Sequence, residues 1–150
     1  MTYPPLEDIL PHRAPMILLD RVEDDAEGGI TCIVNLKEQS PFVENGTVPA
    51  IVATEYMAQC IAAYAGLKAH GQGAPIRVGY VIGAQTIRFS VDEFHVGDEL
   101  QVRVQRVWGD DALGKFECSV RSGGQVVASA ALTVFQGDIN AEDHREGPIP

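Results

Sequence analysis

The stretch from Pro49 to Gly71, PAIVATEYMAQCIAAYAGLKAHG, constrains the fold more than any other part of the sequence. It is long enough for one helix of roughly 33 Å, and its residues are apolar on nearly every helical face. A helix of that kind is buried, so the rest of the chain must cover it. Its one carboxylate, Glu55, lies near the start, where we expect little water around it.

The segments on both sides of this helix have the alternating pattern of β-strands. Gly79 and Gly83 interrupt the first strand after the helix, which indicates bulges or a bend. The order of elements predicts an α+β domain in which one antiparallel sheet curls around the central helix, with the last four strands in a meander. The predicted strands cover residues 16–24, 30–38, 76–91, 100–108, 113–121 and 126–135.

The length of 150 residues fits one domain with a substantial core, which we place at residues 1–136. Residues 137–150 are acidic, contain proline and show no periodicity, so we expect a mobile tail. An open sheet edge beyond the helix favours a dimer or a larger oligomer.

The composition excludes several classes of function. A net charge of −10 argues against non-specific binding to nucleic acid and to anionic membrane surfaces. The three cysteines lie far apart in apolar stretches, and the N-terminus lacks the pattern of a signal peptide, so we expect buried thiols in a cytoplasmic protein. Scattered histidines and the absence of phosphate- or dinucleotide-binding motifs predict neither a metal site nor a cofactor.

Three segments resemble the 3-hydroxyacyl-[acyl-carrier-protein] dehydratases. LPHRAPMILLDRV is similar to the opening of that family, PAIVATEYMAQ to its helix start P-G-V-L-x-x-E-x-x-A-Q, and VIGAQTIRFSVDEFHVGDEL to its segment ending in P-G-D-x-L. The segments follow the order of the family and cover most of residues 9–136. The resemblance implies a hotdog fold, and the E-Y-M-A-Q form looks most like the dehydratases of aryl-polyene-type pigment synthesis.

The resemblance also implies a reaction, the elimination of water from a 3-hydroxyacyl thioester to give a trans-2-enoyl thioester. The thioester would be bound to an acyl-carrier protein or to coenzyme A. Such a reaction needs a base for the C2 proton, an acid for the leaving hydroxyl and a donor to the thioester oxygen. The family takes the histidine of its site from one subunit and the carboxylate from the other.

Four residues match positions of the family that carry the site. Glu55 matches the catalytic carboxylate, and a carboxyl group with little water around it favours its neutral form and can act as acid or base. Ala50 matches the glycine whose N–H faces the thioester oxygen. Gln59 matches a glutamine expected to orient a carboxylate or a loop, and Gly83 lies in the third similar segment as a predicted substrate contact.

The loop before the helix departs from the family. The family carries its histidine in a G-H-F-P loop, whereas Ser40 or Pro41 falls at that place here. We predict that both border the substrate, but a serine hydroxyl alone is no base at neutral pH. His12, in the L-P-H-R loop, is the leading candidate to replace the missing histidine, although the family gives it a mainly structural role. His95 is a weaker candidate, and Glu55 acting through water is a third.

Two alternatives to an active dehydratase stay open from the sequence. The chain would be a non-catalytic hotdog subunit if it pairs with a histidine-bearing relative and contributes only Glu55, or only binds acyl chains. It would be an acyl thioesterase if Glu55 activates water against the thioester carbonyl.

Overall fold

The computed structural model describes residues 2–137, in which one antiparallel sheet folds over one long helix. Two single-turn 3₁₀ helices accompany these elements, at Leu6–Asp8 and at Ala50–Val52. The predicted tail from residue 138 onward lies outside the described residues. The elements in chain order are β1 (Arg21–Ala26), β2 (Gly29–Asn35), β3 (Thr47–Pro49), α1 (Ala53–Gly71), β4 (Gly79–Phe89), β5 (Glu93–His95), β6 (Glu99–Gly109), β7 (Leu113–Ser122) and β8 (Gln125–Gln136).

The main sheet has six strands in the order β1-β2-β6-β7-β8-β4, and every neighbouring pair is antiparallel. β3 and β5 form a separate two-stranded pair. The predicted α+β class is therefore confirmed. The predicted meander is right for β6, β7 and β8 but wrong for β4, because α1 carries the chain across the sheet before β4 begins at the far edge.

One face of α1 packs on the sheet, and the opposite face is open. The inner face of β6 is fully buried at Leu100, Val102 and Val104, as the alternating pattern predicts. On α1 the buried residues include Met57 and Cys60, which lie against this sheet. The prediction that α1 is buried on nearly every face is wrong for the single chain. The six strands cover only one side of the helix. On the open face, the positions left outside the buried core include Glu55, Ala58, Ala62, Ala65 and Ala69.

The first strand begins later than predicted, at Arg21 instead of Met16. The backbone N–H of Leu18 donates to the Gln59 side chain at 2.9 Å and not to a neighbouring strand. Residues 16–20 therefore form an extended connection that lies along α1, with Leu18 and Leu19 buried.

The predicted irregularity at Gly83 is confirmed. The register between β4 and β8 shifts between Val81 and Gly83, and shifts again between Gln85 and Arg88. Thr86, inside the second shift, has a φ of 50°, which is a left-handed conformation. β4 is therefore a bent edge strand.

The three cysteines are buried and free, as predicted. Burial, together with the neighbouring Cys32, raises the pKa of the Cys60 thiol well above its usual range. Burial also raises the pKa of the Cys118 thiol to about 12, with a smaller contribution from the Glu117 carboxylate. The thiolate forms are thus disfavoured in the folded chain.

We expect the native protein to resist a thiol reagent at pH 8, whereas the unfolded chain should react at its three cysteines. The folded-state pKa values of Cys60 and Cys118 lie above the unfolded value of about 8.5, so the unfolded chain loses these protons first. Stability should therefore fall as the pH rises from about 9 toward 12. Labelling and thermal melting across this range measure both effects, and fast labelling of native protein would contradict the buried placement.

Within residues 2–137 no helix combines the length and the apolar character that crossing a membrane requires.

Candidate active site

The loop that carries His12 is held together by its own arginine. After the 3₁₀ turn, Leu10 N–H donates to the Leu6 carbonyl at 2.8 Å, which closes the turn and directs the chain toward α1. The Arg13 guanidinium then donates to the carbonyl oxygens of Glu7, Leu10 and His12, at 3.3, 3.1 and 2.7 Å. These bonds satisfy three backbone acceptors of the turn.

Gln59 joins this loop to α1. Its side chain is fully buried, and its Oε1 accepts the Leu18 N–H at 2.9 Å. Its Nε2 donates to the Met16 carbonyl at 2.8 Å and to Glu55 Oε2 at 3.1 Å. One amide therefore contacts both the carboxylate one turn earlier and the connection that leads from His12 into β1.

His12 and Glu55 face each other across this junction. His12 Nε2 lies 3.8 Å from Glu55 Oε2. His12 Nδ1 is buried and has no hydrogen-bond partner among residues 2–137. The predicted shielding of Glu55 is wrong for the single chain, because its side chain is 45% exposed on the open face of α1.

A groove of about 550 Å³ runs along the open face of α1, and both His12 and Glu55 line one end of it. Its floor is the row of alanines that follows Glu55, at spacings of three and four residues that repeat one helical face. From Glu55 to Ala69 the helix rises about 21 Å. The opposite wall comes from residues 74–81, which lead into β4, and from β7.

Ser40 and Pro41 lie apart from this groove. Both line a separate depression of about 270 Å³ beside Tyr56. Ser40 Oγ accepts the Lys37 N–H at 2.9 Å and so closes its own turn. Burial raises the pKa of Tyr56 to about 12, with a smaller contribution from the Asp20 carboxylate. Within one chain, the position that corresponds to the missing histidine is not next to Glu55.

The remaining predicted residues contribute less to the groove. The Ala50 N–H donates to the Asp92 carbonyl at 2.9 Å. This N–H therefore already has an acceptor and is not free to donate to a thioester oxygen. Gly83 lies farther along β4 than the residues that line the groove. His95 is exposed at the end of β5 and lies between two carboxylates, with Nε2 3.5 Å from Glu93 Oε2 and Nδ1 4.0 Å from Asp98 Oδ2.

Arg106 also lines the groove, close to Tyr64, but it is not among the site residues predicted from the sequence. A signal was available, because Arg106 continues the series Leu100, Val102 and Val104 on the buried face of β6. A charged residue at an inward position of an apolar strand is unusual and points to a partner or a ligand.

A model of the ApeP-like family, described as ApeP dehydratase, matches residues 4–145. The chain belongs to the ApeP-like dehydratase family. The predicted relationship to the dehydratases, and to their aryl-polyene-type branch, is therefore confirmed.

Several curated relatives are named 3-hydroxyacyl-[acyl-carrier-protein] dehydratase FabZ. The protein from Bordetella petrii is 33% identical over 135 residues, which cover 82% of this chain and 87% of the relative. The protein from Deinococcus radiodurans is 30% identical over 132 residues, which cover 82% of this chain and 85% of the relative.

Solved structures agree with the hotdog fold. A chain of the dehydratase heterocomplex ApeI:P from Xenorhabdus doucetiae matches with a TM-score of 0.88 and 28% identity, covering 93% of this chain and 95% of the other. A hypothetical thioesterase from Streptococcus pneumoniae, solved with coenzyme A, matches with a TM-score of 0.57 and 16% identity, covering 78% and 84%. The second likeness concerns the fold alone.

Proposed function

We propose that the chain is a dehydratase subunit that eliminates water from 3-hydroxyacyl thioesters and forms trans-2-enoyl thioesters. The observation that carries this proposal is the pair of His12 Nε2 and Glu55 Oε2, 3.8 Å apart at one end of the groove. Membership of the ApeP-like dehydratase family supports the same reaction. The thioester would be carried by an acyl-carrier protein or by coenzyme A.

The reaction needs one proton, held by the pair of His12 and Glu55, and returns it at the end. His12 would take the C2 proton at Nε2, while Glu55 passes the proton held by the pair to the C3 hydroxyl, which leaves as water. The C2–H electron pair forms the C2–C3 double bond. His12 then holds the proton from C2, and its transfer to Glu55 restores the starting state.

Gln59 would position both groups without touching the substrate. Its Nε2 donates to Glu55 Oε2, and this bond restricts the carboxylate to one orientation toward His12. Its bonds to Leu18 and Met16 hold the loop that carries His12. Reactions of this type lose rate steeply when acid and base move apart.

Measuring both the enoyl thioester and the free thiol distinguishes a dehydratase from a thioesterase. A dehydratase turns a 3-hydroxyacyl thioester into an enoyl thioester, seen by its conjugated absorbance, and releases no free thiol. A thioesterase releases thiol and forms no conjugated product. Thiol release without enoyl formation would overturn the proposal.

The subunit is also proposed to work in an oligomer with a second hotdog subunit. β4 is a long edge strand, and it exposes Tyr80, Val81, Ile82 and Ile87. An unpaired edge with apolar side chains favours pairing with another strand. The similar solved chain comes from a dehydratase heterocomplex, which supports either a second copy or a related chain as the occupant.

If the partner is a related subunit, the active site could instead be shared between two chains, as an alternative to the pair of His12 and Glu55 within one chain. The loop around Ser40 lacks the family's histidine, so a histidine-bearing partner could act on the same Glu55. Assays of the purified chain alone and with a related hotdog subunit decide between the two. Turnover by a stable homodimer would exclude the requirement for a different partner.

We expect Ile82→Lys to weaken the oligomer at least tenfold. Ile82 is 61% exposed on β4, and burying a lysine charge at a strand interface costs about 2 kcal/mol or more. Size-exclusion chromatography with light scattering measures the change. Val107→Lys is the matched control, because Val107 is also exposed but lies on β6 inside the sheet. Equal effects of the two variants would contradict assembly through β4.

A further inference from the structure

A second depression lies on the outer face of the sheet, on the side away from α1. It has a volume of about 400 Å³ and is lined by residues of β4, β6, β7 and β8. Its outward-facing side chains alternate along these strands with Val102, Val104 and Val120, which are fully buried on the inner face. The depression shares no lining residue with the groove along α1, so it is a separate site.

One row of side chains across four strands lines this depression. Arg103 on β6 pairs with Ser119 on β7. Ser119 pairs with Ser129 on β8, which pairs with Arg88 on β4. Neighbouring strands are about 4.8 Å apart, so the Cα atoms of the two arginines are roughly 14 Å apart. In this arginine–serine row, two guanidinium groups therefore flank two hydroxyl groups.

A bulge in β4 places Arg88 in the row. Between Gln85 and Arg88 the strand has two residues, whereas β8 has only one between their partners. A regular strand would put Ile87 opposite Ser129 and turn Arg88 to the other face. Thr86, inside the bulge, has a φ of 50°, which is strained for a β-branched residue. Strain of this kind is concentrated at functional positions, and here it directs an arginine outward.

The two arginines of the row have no ion-pair partner among residues 2–137. Arg121, on the same outer face, differs from them because it donates to the Gly124 carbonyl at 3.2 Å. The chain as a whole carries a net charge of −10, so two such guanidinium groups in one depression are a local reversal of its charge. An anion between them would relieve their mutual repulsion.

The next row of the depression limits which anion fits. It carries Gln105 and Glu117, which pair with each other across β6 and β7. The Glu117 carboxylate repels a bare phosphate ion, but it accepts hydrogen bonds from hydroxyl groups. A ligand with a phosphate at one end and hydroxyl groups at the other matches both rows. The volume of about 400 Å³ is within the range of small-molecule sites.

We propose that the arginine–serine row binds the phosphate of a small polyol or sugar phosphate, with the hydroxyl groups of the ligand toward Glu117. Guanidinium groups offer paired donors that match phosphate oxygens, and the serine hydroxyls add further donors. The site is independent of the proposed reaction, because Glu55 and His12 lie on the other side of the sheet. Pairing of β4 with another strand extends the sheet in its plane and leaves this face open.

Calorimetry with glycerol 3-phosphate, inorganic phosphate and glycerol tests the site without any turnover. The wild-type chain should bind glycerol 3-phosphate about tenfold more tightly than glycerol or better, since one charge-assisted contact contributes that much. It should bind inorganic phosphate more weakly than glycerol 3-phosphate, and Glu117→Gln should reduce this difference.

Arg88→Gln and Arg103→Gln should each weaken the binding of glycerol 3-phosphate about tenfold. Arg121→Gln is the matched control, because it removes the same charge from the same face of the sheet outside the depression. It should bind as the wild-type chain does.

Two variants of β4 test the role of the bulge. Deletion of Thr86 should place Ile87 opposite Ser129 and remove the preference for glycerol 3-phosphate over glycerol. Thr86→Gly keeps the bulge and relieves the left-handed conformation, so it should bind in full and melt at the same or a higher temperature. If the deletion prevents folding, Arg88→Gln still tests the same contact on a folded chain.

Equal binding of glycerol 3-phosphate and glycerol by the wild-type chain would overturn the site, as would equal losses in Arg88→Gln and Arg121→Gln. Equal affinities for glycerol 3-phosphate and inorganic phosphate would overturn the assignment to a phosphate ester in favour of a free phosphate ion. Arg88→Gln should turn over a 3-hydroxyacyl thioester at the wild-type rate. Failure of this site and failure of the proposed reaction are therefore distinguishable.

Discussion

Glu55→Gln is expected to lower the turnover of a 3-hydroxyacyl thioester by about 100-fold or more. The amide cannot give a proton to the leaving hydroxyl, yet it has nearly the same shape and can still accept the hydrogen bond from Gln59. KM and the melting temperature should therefore change little. Steady-state kinetics with the carrier-bound substrate, together with a thermal melt, measure both parts of this result.

Glu93→Gln is the matched control for this variant. Glu93 is also a carboxylate close to a histidine, with Oε2 3.5 Å from His95 Nε2, but it lies on β5 outside the groove. We expect it to keep full activity. Turnover by Glu55→Gln at the wild-type rate would contradict the proposed reaction, and loss of activity in Glu93→Gln alone would move the site to His95.

His12→Ala separates the two versions of the site. If His12 is the base, its loss should cost as much as the loss of Glu55, and the double variant should be no worse, because the two groups act as a unit. If a partner subunit supplies the base, His12→Ala should retain most of the activity of the assembled complex.

Gly66→Ala is expected to destabilise the fold by about 2 kcal/mol or more. A Cβ at Gly66 would overlap the carbonyl oxygen of Ile9, which is itself fully buried. The helix would gain about 1 kcal/mol in intrinsic propensity, but this is less than the cost of pushing two buried segments apart. Urea unfolding at constant temperature gives the free energy difference directly.

Gly71→Ala is the control for the helix propensity itself. Gly71 ends α1, and an added Cβ there would meet no atom within 4 Å. It should be neutral or stabilise the protein by up to about 1 kcal/mol. Equal stability of the two variants would show that α1 and the Ile9 segment do not approach closely. That contact also supports the turn before His12, so Gly66→Ala should reduce turnover in parallel.

Local sequence patterns predicted the structure correctly where the conformation depends on a single helix or strand. The apolar run from Pro49 to Gly71 predicted the helix, and the alternation at residues 100–108 predicted the buried face of β6. The bulge at Gly83 also followed from local chemistry, because glycine weakens a regular strand. Each of these depends on neighbours within a few residues.

The arrangement of the candidate site could not be predicted from such local patterns. His12 and Glu55 are 43 residues apart in sequence, and they meet because Gln59 and Arg13 fold the intervening loop against α1. The exposure of Glu55 depends on which side of α1 the sheet leaves open. The position of β4 at the far edge depends on where the helix delivers the chain.

The sequence by itself determined the family, the central helix, the glutamate near its start and the class of the fold, since these are carried by residue types at short spacings. Only the tertiary structure decided that His12, and not Ser40, lies opposite Glu55 within the chain, and that Arg106 lines the same groove. The physical reason is that short spacings set local conformation. Distances between remote side chains depend on how sheet, loop and helix pack together.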